Sequence, residues 1–242
     1  MKLKRKRVLC VLPAYNEEGK IGRVVKKVKK EDCVDTILVV DDFSSDKTSV
    51  EAKSEGALVL RHKMNLGVGA AIRSGINYAM ANDFDIVVIL SGDDQHDPRE
   101  IPLVLSPLLN EECHFVQGSR RLKGGKIVGG SLFRRLTTKL YAIIFRFLTG
   151  FPSTDATNGF RAFYVWIFKE RGINLWQDWL DRYELEPFML FKVAVDKNIK
   201  MREVPITLIY HNTAGGFTKM KFFSDWWRLF RPMIYLKLRI KK

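Results

Sequence analysis

The sequence predicts an α/β protein whose mostly parallel sheet is flanked by helices. Short apolar runs alternate with amphipathic stretches through the first part of the chain, and a polar cluster follows three of these runs. The composition is that of a globular protein, because 46% of the 242 residues are hydrophobic and 28% are charged. Strands that alternate with helices are typical of a doubly wound parallel sheet.

The first part of the chain is predicted to form four strands separated by three helices. The strands are expected in "RVLCVLPAY", "DTILVVDD", "LVLRHK" and "FDIVVIL". The helices are expected in "NEEGKIGRVVKKVKK", "SVEAKSEGA" and "GVGAAIRSGINYAMAND". In the first helix Ile21, Val24, Val25 and Val28 recur at the spacing of one helical face.

After residue 120 the pattern is looser. "GGKIVGG" is predicted to be a glycine-rich loop, and "SLFRRLTTKLYAIIFRFLTG" an amphipathic helix. "FPSTDATNGFRAFY" is expected to be a turn followed by a strand. "DRYELEPFMLFKVAVDKN" predicts another helix and "IKMREVPITLIYH" a strand, before a tail rich in aromatic and basic residues.

The formal net charge of +14 favours anionic partners, among them nucleic acid, lipid headgroups and phosphorylated substrates. The basic residues form no recognisable nucleic-acid-binding motif, so we expect no nucleic-acid partner. Cys10, Cys33 and Cys113 lie far apart, which argues against a zinc knuckle or a disulfide framework and for reduced thiols in a cytoplasmic protein. No apolar stretch approaches the roughly 18–20 residues that span a bilayer, and none resembles a signal peptide.

The segment "SGDDQHDP" is the candidate metal site. Alternation along an extended chain would turn Ser91, Asp93 and Gln95 to one side and the residues between them, including Asp94, to the other. Asp93 and Gln95 would then offer two oxygen ligands of the kind that Mg²⁺ or Mn²⁺ prefers, with phosphate oxygens of a substrate completing the shell. The alternative is a capped strand end with solvated carboxylates.

Polar clusters follow three predicted parallel strands, and ligands of such sheets bind beyond the carboxyl ends of the strands. The clusters are "NEE", "DDFSSD" and "SGDDQHD". The G-x-G of "NLGVGAAIRSG" is not a dinucleotide fingerprint, because it does not follow the first strand and Ile72 occupies the third glycine position. We expect its glycines to allow close packing of the helix, while Arg73 either reaches a phosphate or is solvated.

Seven motifs occur in an order that resembles the family 2 inverting glycosyltransferases with the GT-A fold, of the dolichol-phosphate mannose synthase and polyprenyl-phosphate type. They are "VLPAYNEEGKI", "ILVVDDFSSDKT", "NLGVGAAIRSGINYA", "VVILSGDDQHDP", "QGSRR", "DATNGFRAF" and "VPITLIYHNTAGGFTK". The resemblance covers roughly residues 6–220. It implies a GT-A catalytic domain over residues 1–220 that transfers a hexose from GDP-mannose or a UDP-glucose type donor to polyprenyl or dolichyl phosphate, with Mg²⁺ or Mn²⁺.

On the donor side the resemblance implies that Pro13, Tyr15 and Glu17 surround the base and ribose, although Tyr15 could instead be a rim aromatic. Asp42 matches the acid that contacts base or ribose, and Asp41 is expected to accept backbone hydrogen bonds in the following turn. Uridine and guanosine donors are both compatible with these residues.

The family's D-x-D-x-Q-H pattern is matched by Asp93, Gln95 and His96, whereas Ser91 replaces the first Asp. Asp93 is therefore a catalytic and metal-ligand candidate with Gln95, and Asp94 is assigned to substrate binding. The Ser91 substitution leaves three outcomes open, which are a weaker metal site, a water-bridged contact, or low activity, and we favour the first.

On the acceptor side the resemblance implies that Arg120 and Arg134 face the acceptor phosphate, with surface charge as the alternative. Thr218 and Lys219 match a phosphate-contacting motif, and His211 stands where the family often has Arg. Asp155 is the candidate base for a hydroxyl acceptor. The alternative is that Asp155 caps a helix or stabilises a turn and that Arg161 pairs with it.

Residues 221–242 form a basic aromatic tail that places apolar side chains on one helical face. These are Phe222, Phe223, Trp226, Leu229, Phe230 and Met233. Aromatic and basic residues on one helix are typical of a membrane-interfacial segment, and "LYAIIFRFLTG" could add a second such surface. The alternative is that both helices pack on the catalytic domain.

The resemblance thus predicts a peripheral enzyme on the cytoplasmic membrane face. Two further hypotheses are kept. One is a glycosyltransferase that acts on a saccharide or other hydroxyl acceptor. The other is a catalytically weak membrane-docking module.

Overall fold

A computed structural model describes residues 5–210 and 222–241. The strands are β1 (Val8–Ala14), β2 (Thr36–Asp41), β3 (Leu58–Arg61), β4 (Ile86–Ile89), β5 (Phe115–Ser119), β6 (Lys126–Val128), β7 (Arg161–Tyr164), β8 (Met201–Pro205) and β9 (Thr207–Ile209). The helices are α1 (Ile21–Val28), α2 (Thr48–Ser54), α3 (Val68–Ala81), α4 (Ile101–Leu109), α5 (Leu132–Thr149), α6 (Trp166–Glu170), α7 (Leu185–Val195) and α8 (Phe222–Lys237).

The central sheet has seven strands in the order β3-β2-β1-β4-β7-β5-β8. All its neighbouring pairs are parallel except those of β7, which runs antiparallel to both β4 and β5. A second, two-stranded parallel sheet pairs β6 with β9. The predicted α/β class with a mostly parallel sheet is thus confirmed.

The alternation of side chains along β1 explains why the sheet is covered on both faces. Leu9 and Val11 belong to one buried apolar cluster, whereas Cys10 and Leu12 belong to the other. Strands buried on both faces read as continuous apolar runs, which is the pattern in the sequence. The first cluster includes residues of α3, α5 and α7, and the second includes residues of α1, α2 and α4.

The structure differs from the prediction in the second part of the chain. The predicted glycine-rich loop over residues 124–130 contains β6. The single strand predicted over residues 199–211 is divided into β8 and β9, which belong to different sheets. Neither α4 nor β5 was predicted, and β5 lies inside the central sheet.

The apolar face predicted for the tail packs on the rest of the protein over the part that the structure describes. Met233 is 1% exposed, and the Phe230 ring lies 4.9 Å from that of Tyr141. The Tyr141 hydroxyl donates a hydrogen bond to the Leu229 carbonyl oxygen at 2.9 Å, and Arg231 pairs with Glu184. Within residues 5–210 and 222–241 no helix is long and apolar enough to cross a membrane.

Candidate active site

The loops that follow β1, β2 and β4 meet at one edge of the sheet, as the sequence predicts. Ala14 is paired with Asp41, so β1 and β2 end together, and the Asp42 amide donates to the Ala14 carbonyl oxygen at 2.9 Å. The Gly92 amide donates to the Pro13 carbonyl oxygen at 3.3 Å and brings the acidic segment to the same edge.

Exposure alternates along the acidic segment as predicted. Ser91, Asp93 and Gln95 are partly exposed, whereas Asp94 is buried at 8% exposure. The Asp94 backbone has a φ of 62°, and its carboxylate accepts hydrogen bonds from cations of α1, Lys27 at 2.7 Å among them. These contacts make Asp94 part of the framework that fixes this loop, and its role in substrate binding stays a prediction.

Asp93 and Gln95 lie together on the exposed side of the segment. The Asp93 carboxylate accepts a hydrogen bond from the Gln95 backbone amide at 3.1 Å. Across the described ranges, residues 5–210 and 222–241, no group of three or more His, Cys, Asp or Glu side chains is placed to hold a metal ion. One carboxylate and one amide oxygen suit a divalent cation that takes its other ligands from diphosphate oxygens and water.

His96 connects the acidic segment to the loop that precedes β7. Its Nε2 lies 2.8 Å from the Asn158 side-chain oxygen, and its ring packs 5.3 Å from the Phe160 ring. Burial lowers the pKa of His96, so the neutral imidazole donates from Nε2 to Asn158. His96 is thus a buried residue on the opposite side of the segment from the partly exposed Asp93 and Gln95.

The predicted donor residues at the end of β1 and in the loop after it lie at this edge with different exposures. Tyr15 is 40% exposed, Pro13 is partly exposed, and Glu17 is buried at 7% exposure. The Glu17 amide donates to the Thr48 hydroxyl at 2.7 Å, and its carboxylate pairs with Lys20 at 2.9 Å.

Asp41 and Asp42 both shape the turns of the donor edge. The Asp41 carboxylate accepts the Ser44 amide at 2.8 Å, which confirms its predicted role in the turn. Asp42, predicted to contact base or ribose, accepts the amides of Leu66 and Gly67 at 2.8 and 2.7 Å. Its Oδ1 also lies 2.7 Å from the His62 ring. The carboxylate of Asp42 therefore holds the loop that leads into α3.

The glycines of α3 allow close packing, as predicted. A Cβ atom on Gly69 would lie 2.2 Å from the Leu180 carbonyl oxygen, and one on Gly75 would lie 2.4 Å from Val11. Arg73 pairs with Asp181 at 2.5 Å and its side chain is only 17% exposed, so the solvated alternative is wrong.

A buried ion pair joins Arg120 to Asp155. The Arg120 Nε and Nη2 atoms lie 2.5 and 2.7 Å from the two carboxylate oxygens, and the Arg120 amide donates to the same group at 3.1 Å. Arg120 is 7% exposed and Asp155 is fully buried. Burial opposes ionisation of Asp155, but Arg120 outweighs it and lowers the pKa of the carboxyl. Arg161 pairs with Glu186 at 2.9 Å, so the suggested Arg161–Asp155 partnership is wrong.

Tyr210, which the sequence analysis missed, connects this pair to α5. Its hydroxyl accepts a hydrogen bond from Arg120 at 3.2 Å, and the Arg134 guanidinium lies 4.8 Å from the centre of its ring. The only signal for Tyr210 in the sequence was its place at the end of the last predicted strand. Arg134 is partly exposed, in contrast to Arg120.

Two further cations lie beside Arg134. Arg121 donates to the Arg135 carbonyl and the Thr138 hydroxyl, and Arg135 donates to the Gly129 carbonyl at 2.9 Å. Neither guanidinium pairs with a carboxylate of the residues that the structure describes. Burial lowers the pKa of Arg121, and the charge of Arg120 acts in the same direction. This corner of the site therefore carries positive charge that the Arg120–Asp155 pair does not cancel.

Thr218 and Lys219, together with His211, lie outside the described residues.

The chain resembles curated proteins over most of its length. It is 30% identical over 93% of its length to the UDP-N-acetylglucosamine–dolichyl-phosphate N-acetylglucosaminyltransferase of Methanococcus voltae, of which it covers 95%. It is also 30% identical to the undecaprenyl-phosphate mannosyltransferase of Micrococcus luteus, and the match covers 84% of each chain.

The fold matches solved structures as well. One of these is glucosyl-3-phosphoglycerate synthase from Mycobacterium tuberculosis, solved with Mn²⁺ and UDP-glucose. The match has a TM-score of 0.67 at 19% identity, and it covers 98% of this chain and 80% of the synthase chain. The sequence profile of glycosyl transferase family 2 matches residues 9–197. The chain therefore belongs to glycosyl transferase family 2 and is a nucleotide-sugar-dependent glycosyltransferase.

Proposed function

We propose that the enzyme transfers a hexose from a nucleotide sugar to a polyprenyl phosphate by a single displacement that inverts the anomeric carbon. The relatives from Methanococcus voltae and Micrococcus luteus carry dolichyl phosphate and undecaprenyl phosphate in their names. The motif order of the chain agrees with an enzyme of this type.

The ion pair of Arg120 and Asp155 is the observation that carries the choice of acceptor. A hydroxyl acceptor needs a general base, and a carboxylate held by a buried arginine with a lowered pKa is a weak one. A phosphate monoester needs no base, because its second pKa is about 6 and it is largely dianionic at neutral pH. The structure thus favours a nucleophile that arrives already charged.

On the donor side we propose that Asp93 and Gln95 face the diphosphate, with Pro13, Tyr15 and Glu17 around the nucleoside. Asp93 and Gln95 would hold Mg²⁺ or Mn²⁺ together with the diphosphate. When bound, such an ion neutralises charge on the leaving nucleoside diphosphate. Asp93 acts by orienting the diphosphate, while the neutral His96 behind it keeps the segment in place.

On the acceptor side we propose that the phosphate binds at the start of α5. Ser131 caps this helix, since its hydroxyl accepts the Arg134 amide at 3.3 Å, and the helix N-terminus favours an anion. Arg134 supplies one guanidinium, and Arg121 and Arg135 add charge beside it. Arg120 then acts by holding Asp155 and Tyr210 in place. Thr218 and Lys219 remain proposed phosphate contacts from the sequence.

We also propose that the enzyme is peripheral on the cytoplasmic membrane face and that α5 makes the contact. Leu132, Leu136, Leu140, Ile143 and Phe147 are each 54–86% exposed. At about 100° per residue their side chains fall within an arc of about 80° on one side of the helix.

A row of cations borders this apolar stripe of α5. Arg135, Lys139 and Arg146 are exposed and lie on the same side of the helix, along one edge of the stripe. An apolar face bordered by cations fits the boundary between acyl chains and anionic headgroups. The described side chains on the apolar face of α8 pack on the protein, so we propose the membrane contact at α5 rather than at the tail.

The test is transfer by the purified full chain with a matched pair of acceptors. Undecaprenyl phosphate and undecaprenol, which differ only in the phosphate, are each incubated in detergent with UDP-N-acetylglucosamine, UDP-glucose or GDP-mannose and Mn²⁺. We expect a glycolipid product from the phosphate and one donor, and none from the alcohol. Transfer to the alcohol, with the phosphate left unreacted, would overturn the proposal.

A further inference from the structure

Phe43 adopts a backbone conformation that is costly for its residue type. Its φ is 69°, in the left-handed region that a bulky side chain rarely occupies. Phe43 is 48% exposed, so burial of its side chain offsets only part of that conformational cost. Residues held in sparsely populated conformations occur preferentially where ligands bind.

The turn needs this backbone conformation but not the ring of Phe43. Asp41 accepts the Ser44 amide at 2.8 Å, and the Ser44 carbonyl accepts a hydrogen bond from Arg61 at 2.6 Å. The Ser44 hydroxyl accepts the Asn16 amide at 2.9 Å and ties the turn to the loop after β1. A glycine would supply the same φ without steric cost. The aromatic side chain therefore calls for an explanation other than folding.

The ring stands where a nucleotide is expected. Phe43 follows the end of β2 directly, and β2 ends beside the end of β1, where Tyr15 is 40% exposed. The Arg61 guanidinium lies 5.8 Å from the centre of the Phe43 ring, and the hydrogen bond to Ser44 fixes that guanidinium. The result is an aromatic surface with a positioned cation at the carboxyl edge of the sheet.

We propose that the Phe43 ring forms one wall of the donor pocket and stacks on the nucleobase. The inference rests on the proposed function in one respect, namely that the donor nucleotide binds at this edge. Stacking is available to every base because each has a π face. Phe43 would therefore add affinity for the nucleoside, and the polar residues around it would select the base.

The experiment is calorimetric titration of the full chain with UDP, GDP and inorganic pyrophosphate, each with Mn²⁺. The variants are Phe43→Gly, Phe43→Leu and Phe43→Trp. Asp83→Gly is the matched control, because Asp83 also has a positive φ, 55°, but lies before β4 at the opposite edge of the sheet. Phe43→Leu keeps the backbone cost and removes only the ring, so the test does not depend on the glycine variant.

We expect Phe43→Gly and Phe43→Leu to weaken binding of the preferred nucleotide by about 5- to 150-fold, the range for losing one stacked base. Phe43→Trp should retain affinity, Asp83→Gly should match wild type, and the affinity for pyrophosphate should not change in any variant. Unchanged nucleotide binding in Phe43→Leu, or an equal loss for pyrophosphate, would overturn the stacking role alone. Wild type that binds neither nucleotide would overturn the proposed function together with it.

Discussion

Removing only one of the two buried charges, Arg120 or Asp155, should destabilise the protein far more than removing both. The pair has two contacts of 2.5 and 2.7 Å, and both partners are buried. Asp155→Asn leaves the Arg120 charge without its counterion, which typically costs about 3–5 kcal/mol. For a chain of this size that corresponds to a fall in Tm of roughly 6–20 °C.

The double variant Arg120→Met/Asp155→Leu is the matched control. It removes both charges and replaces them with apolar side chains, a change that is often close to neutral in stability. We therefore expect it to recover most of the free energy of unfolding lost in either single variant. The measurement is urea unfolding at pH 7 of wild type, Arg120→Met, Asp155→Leu and the double variant, with Asp155→Asn alongside.

The pH dependence of the same cycle checks the ionisation of Asp155. Because the folded state lowers the pKa of Asp155, its stabilising contribution is full above the unfolded pKa of about 3.9 and is lost as pH falls through the lower folded pKa. The cycle should thus give the same coupling free energy at pH 5 and pH 7. Asp155→Asn that unfolds like wild type but has lost transfer activity would refute this reasoning and restore Asp155 as a base.

Three other perturbations test the rest of the site. Ser91→Asp adds a second carboxylate on the same side of the segment as Asp93. Calorimetry should therefore show that this variant binds the nucleotide more tightly than wild type with Mn²⁺, and no more tightly without it. A variant that gains no affinity from Mn²⁺ would contradict the metal assignment. Leu140→Glu should weaken flotation with anionic vesicles, whereas Val50→Glu, at a 65% exposed position on α2, should not. Gly69→Ala should lower the free energy of unfolding by about 1–3 kcal/mol through overpacking, whereas Gly22→Ala, whose Cβ has no contact closer than 3.7 Å, should not.

The first four strands could be predicted because their chemistry is local. β1, β2 and β4 are short apolar runs buried on both faces, whereas β3 is a partly exposed apolar run at the edge of the sheet. β1, β2 and β3 are each followed by a helix with its own periodicity. In a parallel sheet the carboxyl ends of neighbouring strands share an edge, so the meeting of the "NEE", "DDFSSD" and "SGDDQHD" loops followed from topology. The alternation of exposure around Asp93 followed in the same way from the geometry of an extended chain.

The second part of the chain could not be predicted as well, because its strands pair over long distances. β7 lies antiparallel between β4 and β5, and no local sequence pattern identifies those strands as its partners. Ile206 separates β8 from β9, yet the apolar pattern continues across it, so one strand was predicted where the chain changes sheets. The packing of α8 is equally non-local, since an apolar helical face looks the same whether protein or lipid covers it.

The assignment of the arginines shows where residue type alone is insufficient. Sequence treats Arg120 and Arg134 alike, as cations after a strand and at a helix start. The antiparallel pairing of β5 with β7 brings the end of β5 next to the loop before β7, so Arg120 meets Asp155. A charge at a buried strand end must find a counterion within the protein, because desolvation is otherwise too costly. A charge at the start of an amphipathic surface helix carries no such requirement. The exposed start of α5, rather than the buried Arg120, is therefore where we propose that an anionic acceptor binds.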